Sequence, residues 1–175
     1  MRTIKQIALS AALTLGAFSA VMYTSCNSDP CKDVVCQNGG TCNEGNCTCA
    51  TGYEGTNCET ASRAKFIKTW TATDVAVSGG TLPTYTAPIT EGTTVVDIKI
   101  GHFSGNNSSG SSYFVNDVKA TVSGNTITIP SQAPDNDNYK VYGTGTYNTA
   151  DKKITWSYTL EDPTGAKASY TGTWN

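Results

Sequence analysis

Past residue 58 the chain has no cysteine, and past residue 21 it has no run of the helix formers Ala, Leu, Glu and Lys. Charge is sparse too, at 15% of residues, whereas Gly, Thr, Ser and Asn abound. That combination favours short strands and turns and predicts an all-β body. Setting aside Arg2 and Lys5, ten basic residues face fourteen acidic ones, and from Thr60 onward the two kinds are equal at nine each. A nucleic-acid partner calls for a basic face, and neither that nor a basic membrane-surface helix is visible. There is one histidine, His102. A metal centre needs further ligands beside an imidazole, and a Ser-His-Asp mechanism needs positioned partners. The stretch Gly101-His102-Phe103-Ser104-Gly105 is G-x-x-S-G rather than the G-x-S-x-G of a nucleophile elbow, and no helical pattern follows it. His102 is read as a solvated loop residue, and the chain as no enzyme and without a cofactor.

The seven cysteines all fall between residues 26 and 58. They divide into Cys26 alone and a ladder of six: Cys31, Cys36, Cys42, Cys47, Cys49 and Cys58. An even set in so short a window reads as three disulfides in an oxidising compartment. Zinc is the rival reading, but the ladder has no C-x-x-C pair and no nearby His.

Arg2 and Lys5 precede an apolar stretch from Ile7 to Val21, about fifteen residues long. A positive segment followed by an apolar one of this length is a secretory signal; a membrane-spanning helix takes roughly twenty apolar residues. Ala17-Phe18-Ser19 offers small residues for a conventional cleavage, and Tyr23-Thr24-Ser25-Cys26 resembles a bacterial lipobox. The odd cysteine favours the second, because a free thiol is a liability on export while an acylated Cys26 has none. The expectation is a lipoprotein signal peptide over residues 1–25, a lipidated tether over 26–30, and attachment to the outer membrane or cell surface through palmitate-like chains on Cys26. At roughly 0.8 kcal/mol per buried methylene, two or three chains make such an anchor effectively permanent.

Within the ladder stand Asn38-Gly39-Gly40-Thr41-Cys42 and the run Cys49-Ala50-Thr51-Gly52-Tyr53-Glu54-Gly55-Thr56-Asn57-Cys58. A unit this small buries too little apolar surface to fold without staples, each disulfide contributing about 2–4 kcal/mol. The C-x-C step and the C-x-x-G-Y-x-G-x-x-C ending resemble an EGF-like domain over residues 31–58. Six cysteines alone permit about fifteen connectivities. The resemblance implies one of them, Cys31–Cys42, Cys36–Cys47 and Cys49–Cys58. The calcium-binding kind places a set of acidic and amide residues before the first cysteine, and of that set only Asp29 is present. The module is accordingly expected to be a structural spacer without metal.

After a polar joint at residues 59–64, residues 65–175 alternate with period two. Strands are predicted at Lys65–Thr73, Thr84–Ile89, Thr94–Ile100, Tyr113–Val122, Thr126–Pro130, Tyr139–Tyr147, Lys153–Leu160 and Ser169–Trp174. Hairpins are expected at Ser123-Gly124-Asn125, Asn148–Asp151 and Glu161–Gly165, and a flexible loop at Gly101–Ser112. Asp135-Asn136-Asp137-Asn138 lacks the turn glycine and distal Glu of a calcium loop and is read as a polar turn. Eight evenly spaced strands predict an antiparallel meander closed as a barrel or sandwich. The runs Gly143-Thr144-Gly145-Thr146-Tyr147, Ile154-Thr155-Trp156-Ser157-Tyr158 and Tyr170-Thr171-Gly172-Thr173-Trp174 resemble a lipocalin-like, or calycin-like, domain.

Trp70, Trp156 and Trp174 then have two readings, a packed core or the lining of a ligand cavity. The functional expectation is a non-catalytic membrane-anchored surface lipoprotein. It would act as a binding, adhesion or structural module toward a protein or glycan, with the EGF-like unit as spacer. The alternative is a lipocalin-like carrier of a small apolar ligand.

Overall fold

The computed structural model describes residues 29–105 and 113–175; the apolar N-terminal stretch and Cys26 therefore lie outside the described residues. The protein is all-β, with no α-helix among them. A disulfide-rich region comes first, carrying β1 (Thr41–Asn43), β2 (Asn46–Thr48), β3 (Tyr53–Glu54) and β4 (Thr60–Ala61). β1 pairs with β2 and β3 with β4, both antiparallel. Disulfides join Cys31 to Cys42, Cys36 to Cys47 and Cys49 to Cys58, so every cysteine of the ladder is bonded. Hairpins this short cannot hold themselves together in water, and these cross-links supply what the missing core does not.

A 3-10 turn (Ser62–Phe66) leads into a closed barrel of eight strands. They are β5 (Thr69–Ala76), β6 (Tyr85–Glu91), β7 (Asp97–Ile100), β8 (Val118–Ser123), β9 (Thr126–Gln132), β10 (Lys140–Asn148), β11 (Lys153–Glu161) and β12 (Lys167–Trp174). Each strand pairs antiparallel with the next, and β12 returns to pair with β5, which leaves the barrel without a free sheet edge. Period-two alternation sets the two faces. On β11, Ile154, Trp156, Tyr158 and Leu160 are buried while Thr155 and Ser157 are exposed.

Eight strands leave an interior just wide enough for side chains to fill, so large residues need small neighbours. Trp156 sits directly between Gly145 on β10 and Gly172 on β12. A β-carbon at Gly145 would stand 2.9 Å from the Trp156 ring, and one at Gly172 would stand 2.2 Å from the carboxyl of Asp74. The glycines that space the C-terminal strands thus make room for an indole.

Three strand starts differ from expectation by three residues or more. β5 begins at Thr69 because Ser62–Phe66 coils into the 3-10 turn and buries Phe66. β7 begins at Asp97 because Thr94–Val96 lie in a turn that Arg63 holds: its Nη1 donates to the carbonyls of Gly92, Thr94 and Asp97. β8 begins at Val118; residues 113–117 run irregularly, with Phe114 buried and the backbone N–H groups of Val115 and Asn116 bonded to Asp135. The hairpin at Gly124–Asn125 is a two-residue turn, and Ser123 faces Thr126 across it.

The joint between module and barrel is itself built. Ser62 N–H donates to Gly52 O, and Lys65 reaches both Glu54 (2.7 Å) and Asn125 (2.8 Å). Gly52, at φ +91°, lies so close to Val95 and Val96 that a β-carbon there would stand 2.6 Å from the Val95 side chain. Any larger residue would suffer both the strained backbone and the collision.

Gly172→Ala is expected to destabilise the protein by about 1–3 kcal/mol, as overpacking does. Thr171→Ala, on the exposed side of the same strand, should stay within about 0.5 kcal/mol. The midpoint of denaturant unfolding for the two variants checks this.

Candidate functional site

β5 directs Trp70, Ala72 and Asp74 inward. Asp74 is fully buried, with no cation against it among the described residues. A carboxyl so placed must be met by donors. Tyr85 and Tyr158 both donate to its Oδ2, Tyr158 at 2.7 Å, and Trp174 Nε1 donates to Oδ1 at 3.2 Å. Ser104 Oγ stands 3.2 Å from the Tyr158 hydroxyl. Four strands and one loop therefore converge on a polar cluster inside an otherwise apolar barrel.

Burial, and then the charge of Asp74, push both phenols far above the ordinary tyrosine value.

The loop after β7 closes the barrel end above this cluster. His102 and Ser104 take left-handed backbone conformations (φ 51° and 66°), which turns Phe103 inward between them. Its ring lies 4.8 Å from Tyr158, 5.3 Å from Trp156 and 5.6 Å from Trp174, centroid to centroid. The Trp156 and Trp174 rings lie 5.0 Å apart, tilted at 49° to each other. Trp70 closes the other end beneath Tyr147 and Phe66, its indole N–H donating to Phe66 O and Lys68 lying over its ring. All three tryptophans are thus in contact with the chain's own side chains. One group is left over: Trp156 Nε1 is buried with no hydrogen-bond partner among the described residues, which costs about 1–3 kcal/mol.

His102 is exposed whereas Ser104 is buried against Tyr158, so the two face different surroundings and form no nucleophile–base pair. The first part of the loop expected to be flexible is therefore a built plug; residues 106–112 lie outside the described residues. Asp135 accepts from Val115 N, Asn116 N and Asn116 Nδ2, and Asp137 accepts from Tyr139 N. Among the described residues no group of three or more His, Cys, Asp or Glu could hold a metal.

Concave surface lies on the outside. Between β8 and β9 the ladder stops at Thr121–Thr128. Continuing the register would set Lys119 opposite Pro130, which has no N–H to give. The Gln132 carboxamide fills the gap: Lys119 N–H donates to Oε1 (2.9 Å), and Nε2 donates to Lys119 O (2.6 Å) and Pro130 O (3.2 Å). Beside this seam are two grooves of about 220 and 490 Å³, and Lys99 and Lys119 line both. A third groove, of about 290 Å³, lies at the rim between Tyr113, Tyr139 and Lys167.

No protein-family model matches the chain, and no curated protein matches it.

Sequence reasoning passed over Asp74, Phe103 and Gln132. Asp74 had a signal, since Trp70, Ala72 and Asp74 share one period-two face. Phe103 and Gln132 act through loop and side-chain geometry that has no period.

Because the raised phenol values belong to the folded state, the unfolded chain ionises these groups first. The stability they confer is full below about pH 10 and is lost as pH rises beyond it. Tyrosinate absorbance during alkaline titration should leave Tyr85 and Tyr158 silent until the protein unfolds. At neutral pH, Tyr158→Phe should cost about 1.5–3 kcal/mol, the range for a hydrogen bond to a charged group.

Proposed function

We propose that the protein is a non-catalytic, membrane-anchored surface lipoprotein whose barrel is a binding or adhesion module. In this reading residues 1–25 are removed as a signal peptide, Cys26 carries the acyl chains, and the EGF-like unit of residues 31–58 is the spacer. Residues 65–175 are then a lipocalin-like domain that meets a protein or glycan through its outer wall.

The observation that carries the binding-module reading is the filled barrel. Phe103 packs on Trp156, Tyr158 and Trp174, and the Asp74 cluster spends its donors internally, so the interior offers a guest little. Grooves lined by Lys99 and Lys119 lie on the barrel's outer wall instead. This favours surface binding over the carrier alternative, in which Trp70, Trp156 and Trp174 would line a cavity. Attachment rests on separate support: three disulfides agree with an oxidising compartment and leave Cys26 as the odd cysteine. The joint at Arg63 and Lys65 supports the spacer role, since it would carry the barrel on the module as one piece.

Mass spectrometry of the mature N-terminal peptide tests the anchor. A peptide beginning at acylated Cys26 is expected, and Cys26→Ala should move the protein out of the membrane fraction. A form beginning at Ala20, or a Cys26 without acyl chains, overturns attachment. Organic extraction of natively purified protein tests the module reading, and a stoichiometric co-purifying lipid or pigment would overturn it in favour of the carrier.

A further inference from the structure

Lys99 on β7 and Lys119 on β8 stand directly opposite each other, both exposed on the outer wall. Side chains so paired have β-carbons about 4.5–5.5 Å apart, and like charges there repel. Three other lysines meet carboxylates, Lys65 on Glu54 and Lys140 and Lys167 on Glu161, while Lys32, Lys68, Lys152 and Lys153 meet none among the described residues. Lys99 and Lys119 have no such salt bridge among the described residues. The seam made by Pro130 and Gln132 fixes the backbone of Lys119, so the repulsion is not relieved by slippage of the strand.

The grooves on either side share these two lysines. Thr93 and Thr121 line the first, and Asn116, Gln132 and Asn136 line the second. The Thr93 and Thr121 hydroxyls and the Asn136 carboxamide can both donate and accept, which is what sugar hydroxyls require, whereas the Gln132 amide hydrogens are already given to Lys119 O and Pro130 O. A protein partner would instead seek apolar or aromatic anchors. The large apolar side chains exposed on this protein are Val35, Val75, Val77, Val115 and Tyr139, and none lines either groove; Ile98, which does, is buried. Asp97 borders the first groove and Asp117 the second. Two carboxylates flanking two ammonium groups disfavour a dense polyanion and favour a chain whose charges are widely spaced.

We propose that Lys99 and Lys119 form the centre of a binding site for an acidic polysaccharide. One carboxylate or sulfate is received between the two ammonium groups, and the adjoining sugars lie in the two grooves. The proposal rests on the binding-module reading and names its ligand class.

Affinity electrophoresis of the full chain through gels containing hyaluronan tests it, with neutral dextran, polyglutamate and anionic phosphatidylglycerol vesicles as comparisons. Retardation by hyaluronan and not by dextran is expected. The double variant Lys99→Gln/Lys119→Gln should weaken it about tenfold or more, the change that loss of one charge-assisted contact brings. Lys152→Gln/Lys153→Gln, which removes the same charge from a distant hairpin, should leave it unchanged. The thermal midpoint of the Lys99/Lys119 variant should hold or rise, since a repelling pair is removed. A lowered midpoint would assign these lysines a structural role and overturn the proposal. Equal retardation by dextran, or tighter binding of polyglutamate or vesicles than of hyaluronan, also overturns it. Hyaluronan binding that survives the double substitution removes this site while leaving the binding-module reading in place; a co-purifying lipid removes that reading itself.

Discussion

The closure of β12 onto β5 sets Asp74 opposite Gly172, and much of the barrel depends on that one juxtaposition. A closed sheet of eight strands fixes its own radius, so interior volume is conserved around the ring rather than chosen strand by strand. Asp74 and Trp156 both need the space that Gly172 leaves empty. Once they share it, Trp174 is held on the same side by its bond to Asp74, and Tyr85 and Tyr158 follow from the neighbouring strands. The cluster selects one arrangement because it has little tolerance: a buried carboxyl that loses donors is costly, whereas a displaced Leu or Ile is merely less well packed. Phe103 then closes the same end by packing on the ring faces the cluster has lined up.

This accounts for what could and could not be read from residues alone. All eight barrel strands were legible because the interior is apolar and every strand alternates across it, as Ile154, Trp156, Tyr158 and Leu160 do on β11. Strand starts were less legible where a tertiary contact overrides the local pattern. Thr94–Val96 has the β-branched character of a strand, but Arg63 bonds the carbonyls around it and holds a turn. Phe66 and Phe114 read as strand residues for their apolar character and are buried from irregular backbone instead. The outer grooves were invisible. Nothing in the spacing of Lys99, Lys119, Pro130 and Gln132 announces that they meet, since register across β7, β8 and β9 decides it.

The cysteine ladder and the barrel solve opposite problems. The N-terminal region has almost no core and is held by covalent cross-links; the barrel has no cysteine and is held by volume. Where they meet, neither device is available, and polar contacts do the joining. Arg63 lies 3.0 Å from Glu91 and bonds three carbonyls, yet its buried Nε has no partner among the described residues. Its net contribution therefore comes from organising the β6–β7 turn more than from the ion pair, which is half in solvent and correspondingly weak. That same turn carries Val95 and Val96, against which Gly52 is seated, so one arginine from the joint shapes the surface on which the module rests.

A filled barrel changes where recognition can occur. In a cavity, specificity comes from what lines the inside, and the outer wall is free to be featureless. Here the interior is committed to the Asp74 cluster and the tryptophans, which leaves irregularities of the wall as the places where a partner can be distinguished. One such irregularity arises because Pro130 cannot donate to Lys119 and Gln132 must do so in its stead. A side chain standing in for a peptide group interrupts the regular sheet, and the grooves lie beside that interruption. The like-charged pair is also there, retained where a neutral residue would be more comfortable. Two departures from an ideal sheet at one position, one in backbone pairing and one in charge, are what the proposed polysaccharide site rests on.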